Sequence, residues 1–268
     1  MFFGVDGMKL NKIMAFFCIG LPICVSLRIF QIIFTIEFET GFYINEFETI
    51  GKFILALIIV FCVLLWIYSS RYYKAPEKQP EYNMLLSVAS VGLAVATVAQ
   101  AFMENSYIST FEWQNLLMKV VGVITGAYFL GFATRYYINF KFPPILHIIP
   151  CVFMILRTAF IFINTSALAH ISDNVLILAA YCSVMVFFVN FAKLYNDVDA
   201  EGNFKKILSS GLVSAVLCFT QGIAHSVINF ASDNKYLHIS HVANVSVLLM
   251  GLFVTVFVVT HFYINKND

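Results

Sequence analysis

Two arginines stand where charge is expensive. Arg28 lies within the apolar run 13–36 and Arg157 within the run 144–165, each a few residues past the centre. An ionisable group inside a membrane-length apolar stretch is costly and marks a functional position by default. Near a helix end such a side chain can extend its head to water, but these two are too deep for that. Gln31 follows Arg28 by three residues, on the same helical face. Gln100 and Gln221 hold corresponding places in two further runs, and Ser214, Cys218, Gln221, His225 and Asn229 recur at spacings of three and four. That spacing draws one continuous polar stripe along a helix. No Asp or Glu lies deep in any run; Glu37 and Glu104, at run ends, are the nearest acids. A guanidinium offers a planar fork of donors suited to carboxylate or phosphate. One reading of Arg28, Arg157, Gln31, Gln100, Gln221 and His225 is therefore a chamber for an anionic small molecule or lipid headgroup. The other ties each arginine to backbone carbonyls freed by Pro22 and Pro150, or to Glu37 and Glu104.

The histidines form a second group. His238 and His241 are three apart and share a helical face, with His170, His225 and Asp173 expected at the same membrane side. Three imidazoles and a carboxylate suit zinc, nickel or copper, although no HExxH or paired CxxC accompanies them. Solvated interfacial histidines are the plainer use. Asp197-Val198-Asp199-Ala200-Glu201-Gly202 begins like a calcium loop, but Leu208 stands at position twelve, where the bidentate Glu belongs. It reads as an acidic turn. Gly122 and Gly126 form a GxxxG pair, which lets two helices approach closely, inside the bundle or across a homodimer. The six cysteines, at 18, 24, 62, 151, 182 and 218, all fall inside apolar runs at no metal or redox spacing, and read as packing residues. Phosphate-binding loops, GxSxG and paired intramembrane aspartates are missing from the sequence. His225 is the one candidate in these runs for shuttling a proton near neutral pH.

The elements that must position these residues are membrane helices. Of 268 residues, 60% are hydrophobic and only 12% charged, against about half and about a quarter in soluble domains. A net charge of +1 leaves no basic excess for nucleic acid. A span needs roughly 20 apolar residues, and eight runs qualify: 13–36, 53–70, 84–103, 116–134, 144–165, 174–194, 206–230 and 241–263. Period-two alternation is missing, which sets aside a barrel. The expected fold is an all-α polytopic helix bundle, a single integral membrane domain over 1–268. Lys9 and Lys12 resemble a leader's basic region, but the run behind them is too long for a leader and is expected to stay.

Orientation follows from lysine and arginine. With the N-terminus cytoplasmic, 11 of them fall on the inside (Lys9, Lys12, Arg71, Lys74, Lys78, Arg135, Lys141, Lys193, Lys205, Lys206, Lys266) and 3 outside (Lys52, Lys119, Lys235). Both termini are therefore expected in the cytoplasm. The halves also read alike. Pro22 followed by Arg28 corresponds to Pro150 followed by Arg157, and Ser87 leading to Gln100 corresponds to Ser209 leading to Gln221. Two parallel four-helix repeats, 13–141 and 144–266, are the resulting expectation.

The stretch from Pro143-Pro144 through Arg157 to Phe191-Ala192-Lys193 resembles uncharacterised multi-pass membrane proteins of low-GC Gram-positive bacteria. The resemblance implies a bacterial inner-membrane location and no activity. Three functions fit the residues: a transporter or permease-like binder of an anion, a sensory, assembly or accessory subunit of a membrane complex, and an intramembrane metal-dependent enzyme. No cofactor is expected unless the external histidines hold a metal.

Overall fold

The computed structural model describes residues 3–37, 42–72, 83–103, 112–138, 142–165, 172–196, 198, 200–231 and 241–264. Among them run eight α-helices: α1 (Phe3–Thr35), α2 (Glu48–Tyr72), α3 (Met84–Met103), α4 (Glu112–Thr134), α5 (Ile149–Thr165), α6 (Ser172–Tyr195), α7 (Ala200–Ala231) and α8 (His241–Val259). Each is long and apolar enough to cross a membrane. A helix satisfies its own backbone donors and acceptors, which lipid requires. Extended pairing among the described residues is limited to one bridge, Ile36 to Tyr43.

Several ends depart from the apolar runs. Helix α1 begins ten residues before its run, and α7 six residues before, because helical backbone bonding continues where hydrophobicity stops. Gly202 consequently lies inside α7, so the turn expected over 197–202 is helical from Ala200; Asp197 and Asp199 lie outside the described residues. The run at 144 opens as a 3-10 turn, Pro144–Ile148, before α5. Pro143 and Pro144 fix the chain there, and Leu146 N donates to Pro143 O at 3.0 Å, the i to i+3 bond of a 3-10 turn. Helix α8 ends in a π-helical turn, Thr260–Ile264.

Helix α7 is the axis. It packs on α1, α2, α6 and α8; α3 packs on α8 and α4, and α5 on α4 and α6. The sequence of neighbours α3–α4–α5–α6–α7–α8 closes into a ring, with the α1–α2 pair set against α7 from outside. Burial follows this arrangement: 89% of the apolar stretch of α7 is buried, against 28% for α1 and for α2. The faces α1 and α2 leave open carry Ile19, Ile23, Phe30, Phe53, Val60 and Leu64, side chains suited to acyl chains.

Close approaches are made at glycines. A Cβ on Gly122 would lie 2.5 Å from Ala101 Cβ, and one on Gly126 would lie 2.4 Å from Val98 Cγ2. Both glycines therefore face α3. Of the two uses open to Gly122 and Gly126, the pair serves internal packing, and the chain's own α3 occupies the surface that a homodimer would need.

The ring's interior divides into two layers. Toward the end that carries Tyr195, rings from α4, α6 and α8 interlock: Phe129 and Phe253 at 5.3 Å, Phe132 and Phe191 at 5.7 Å, Phe191 and Phe257 at 5.2 Å. Toward the opposite end, which carries Thr35, buried polar side chains lie among apolar ones such as Ile32, Ile36, Ala224 and Ile228, and all six predicted binding residues lie there or at mid-span.

Candidate functional site

Arg28, Gln31, Gln100, Arg157, Gln221 and His225 are all buried. They arrive by three routes. In the first, Arg28 and Gln31 sit one turn apart on α1, and Arg28 Nη1 donates to Gln31 Oε1. Gln31 Nε2 in turn donates to Gly51 O at 2.7 Å and to Tyr43 Oη at 3.0 Å. Tyr43 reaches inward because the connection to α2 folds back: Ile44 N donates to Thr35 O at 3.0 Å, and Glu37 N to Phe42 O at 2.9 Å. The tyrosine ring lies where a side chain at 51 would be, since a Cβ on Gly51 would come within 2.2 Å of Tyr43 Cε1. His225 of α7 lies within electrostatic reach of Arg28.

The second route joins four helices of the ring. The Arg157 guanidinium of α5 stands 5.1 Å above the Tyr181 ring of α6. Gln100 Nε2 of α3 donates to Tyr181 Oη at 3.2 Å, and Ser246 Oγ of α8 donates to Gln100 Oε1 at 2.6 Å. Charge, ring and hydrogen bonds thus run from α5 through α6 and α3 to α8. The two predicted arginines therefore have different neighbours: α1 packs on α2 and α7, whereas α5 packs on α4 and α6.

The third is the stripe on α7. Ser214, Cys218, Gln221, His225 and Asn229 are all buried, as the spacing of three and four required. Ser214 Oγ is turned back onto Ser210 O at 2.7 Å. Gln221 differs: neither its Oε1 nor its Nε2 has a hydrogen-bond partner.

The predicted metal site is only partly visible. His170 and His238 lie outside the described residues, and His241 is the first residue of α8 with its side chain outside them. Among the described residues no three His, Cys, Asp or Glu side chains come together. All six cysteines are free thiols.

Sequence reasoning missed Tyr181, Ser246, Tyr43 and Asn244. Tyrosine, serine and asparagine are ordinary in such a sequence; the register between helices places Tyr181, Ser246 and Asn244, and the fold-back of the α1–α2 connection places Tyr43. It also missed a cluster near the Tyr195 end. There Tyr128 Oη and His147 Nδ1 lie 2.6 Å apart, and His147 stacks on Tyr195 at 4.2 Å with Arg135 5.8 Å from the same ring. The double proline placed His147 in a 3-10 turn, a feature the apolar run concealed.

A cavity of about 500 Å³ is lined by Trp113, Asn115, Leu116 and Lys119 on α4, and none of the arginine-cluster residues lines it. The clusters are closed to water in this conformation, with Arg28 0% and Arg157 3% exposed. No protein-family model, curated protein or solved structure matches this chain. Guanidinium, amide and hydroxyl groups, the donors gathered in these clusters, are the ones that recognise carboxylate and phosphate.

Proposed function

We propose that this multi-pass membrane protein binds an anionic small molecule or lipid headgroup in the polar half of its bundle, as a transporter or permease does. Arg157 is the anchor inside the ring, where Gln100 shapes its surroundings, and Arg28, with Gln31 and His225, is a second anchor on the α1–α7 side. The Thr35 end is the outer face of a bacterial inner membrane, with both termini cytoplasmic, as the lysine and arginine distribution indicates. The observation that carries this reading is the convergence of Arg157, Tyr181, Gln100 and Ser246 from four helices at one depth inside the ring. A ligand released at the other face must pass the phenylalanine layer, so transport involves rearrangement of α4, α6 and α8.

A subunit role would put polar side chains on the outside of the bundle to meet partner helices. The open faces of α1 and α2 are apolar instead, which favours the interior site.

The test is thermal unfolding of the purified protein across chloride, sulfate, phosphate, carboxylates and anionic lipids, with Arg157→Ala and Arg28→Ala alongside. A ligand at 100 times its Kd adds about 2.7 kcal/mol to the folded state. At least one anion is expected to stabilise the wild type and to lose its effect in Arg157→Ala. If every anion is without effect and both variants only melt earlier, the arginines are structural and the proposal fails.

A further inference from the structure

Two carboxamides on the seam between α7 and α8 are buried with none of their polar atoms satisfied. Gln221 is 0% exposed and Asn244 1% exposed. The oxygen and the nitrogen of each lack a hydrogen-bond partner, four atoms in all. Buried polar atoms are nearly always paired in folded proteins, and an exception calls for an occupant such as a water, ion or ligand.

The backbones that carry the two amides meet at one level of the α7–α8 contact. A Cβ on Gly222 would lie 3.2 Å from Asn244 O and 2.5 Å from Leu248 Cγ, so the backbone beside Gln221 meets α8 at Asn244. The glycine lets the helices close here. Both neighbouring clusters reach this level. Ser246, two residues along α8, hydrogen-bonds the Gln100 that holds Tyr181 under Arg157. His225, one turn along α7, lies within electrostatic reach of Arg28.

A carboxamide offers one acceptor and two donor hydrogens. Two of them match a group that both donates and accepts, such as a hydroxyl, an amine or another amide. They supply no net charge and so add little for a bare inorganic anion. We propose that Gln221 and Asn244 form the subsite for the uncharged polar part of the ligand. The ligand is then a small organic anion bearing a hydroxyl, amino or amide group. The anionic half of this statement rests on the function proposed above; the amide subsite stands on its own observations.

The experiment measures apparent affinities from thermal shifts of the full-length protein, using probes in matched pairs. The anionic pairs are lactate with propionate, malate with succinate, and glycerol 3-phosphate with propyl phosphate; the neutral pair is methyl lactate with methyl propionate; sulfate is the inorganic anion. Proteins are the wild type, Gln221→Met, Asn244→Leu and Arg157→Ala. Because the amides have no partners to lose, Gln221→Met and Asn244→Leu are expected to melt at or above the wild type without ligand, so a lost preference reads as lost recognition.

In at least one pair the polar member is expected to bind the wild type about tenfold tighter, the worth of one good hydrogen bond. That preference disappears in Gln221→Met and Asn244→Leu. Equal binding across every pair, including the case of no binding at all, overturns the subsite. A preference that survives both amide substitutions overturns it too. Anion binding that is lost in Arg157→Ala but equal across pairs keeps the anchor and removes the subsite. A methyl lactate preference without any anion effect keeps the subsite and removes the anchor.

Discussion

A guanidinium held over a phenol ring contributes through charge and through shape, and substitution separates the two. Arg157→Lys keeps the charge but loses the planar face that lies over Tyr181. It is expected to cost about 1 kcal/mol in a reversible unfolding assay in detergent, and Arg157→Ala distinctly more. On α1 the larger effect belongs to Gln31, which accepts from Arg28 and donates to Gly51 O and Tyr43 Oη. Gln31→Ala removes all three bonds from a buried site and is expected to destabilise by about 1–3 kcal/mol. Tyr43→Phe removes only one and should cost under about 1 kcal/mol in the same assay. The arginines, glutamines and His225 were legible in the sequence because charge and amide groups in apolar runs are rare. Tyr181, Ser246 and Asn244 were not, since their importance comes from helices distant in the chain.

At the level of elements, helix contacts depend on missing side chains. A Cβ on Gly126 would come 3.2 Å from Ala94 O as well as 2.4 Å from Val98 Cγ2. Gly126→Val therefore forces α3 and α4 apart, with an expected loss of about 1–3 kcal/mol. Gly222→Val does the same to α7 and α8, where Leu248 and the Asn244 carbonyl stand in the way. The unfolding midpoint checks both, and a fluorescent probe on α8 should report a shift only in the second. Eight helices were legible from apolar run length alone, because a lipid-spanning segment has a fixed minimum. Their ends were not. Hydrogen bonding carries α1 and α7 past their apolar runs, and a proline pair converts the start of the fifth run to a 3-10 turn.

Across the whole molecule, α7 is the least apolar of the eight spans and the most buried, while α2 is the most apolar and among the least buried. A central helix need not meet lipid, so this contrast was a readable sign of the architecture. The sequence halves suggest equal roles for α3 and α7, yet 56% of the α3 stretch is buried against 89% for α7. Similar local sequence does not prescribe which helix becomes the axis. The phenylalanine layer is the other feature on this scale. Phe253 touches Phe129, Phe132, Phe188, Phe191 and Phe257. Phe253→Ala is expected to cost on the order of 3 kcal/mol and to loosen α4, α6 and α8 together, seen as faster amide exchange in all three.

The placement of the α1–α2 pair outside the ring also has a meaning in time. Its anchor on α7 is synthesised some 150 residues after α2 is complete, and N-terminal segments leave the ribosome first. During that interval Arg28 must reside in lipid without the rest of the bundle. The hydrogen bonds that tie it to Gln31, and Gln31 to Tyr43 and Gly51, all lie within residues 28–51. The hairpin thus brings one polar partner for the first arginine with it. The ring that lies under Arg157, Tyr181, belongs to the next helix and emerges after it. The second arginine therefore meets its phenol ring only once α6 has followed α5.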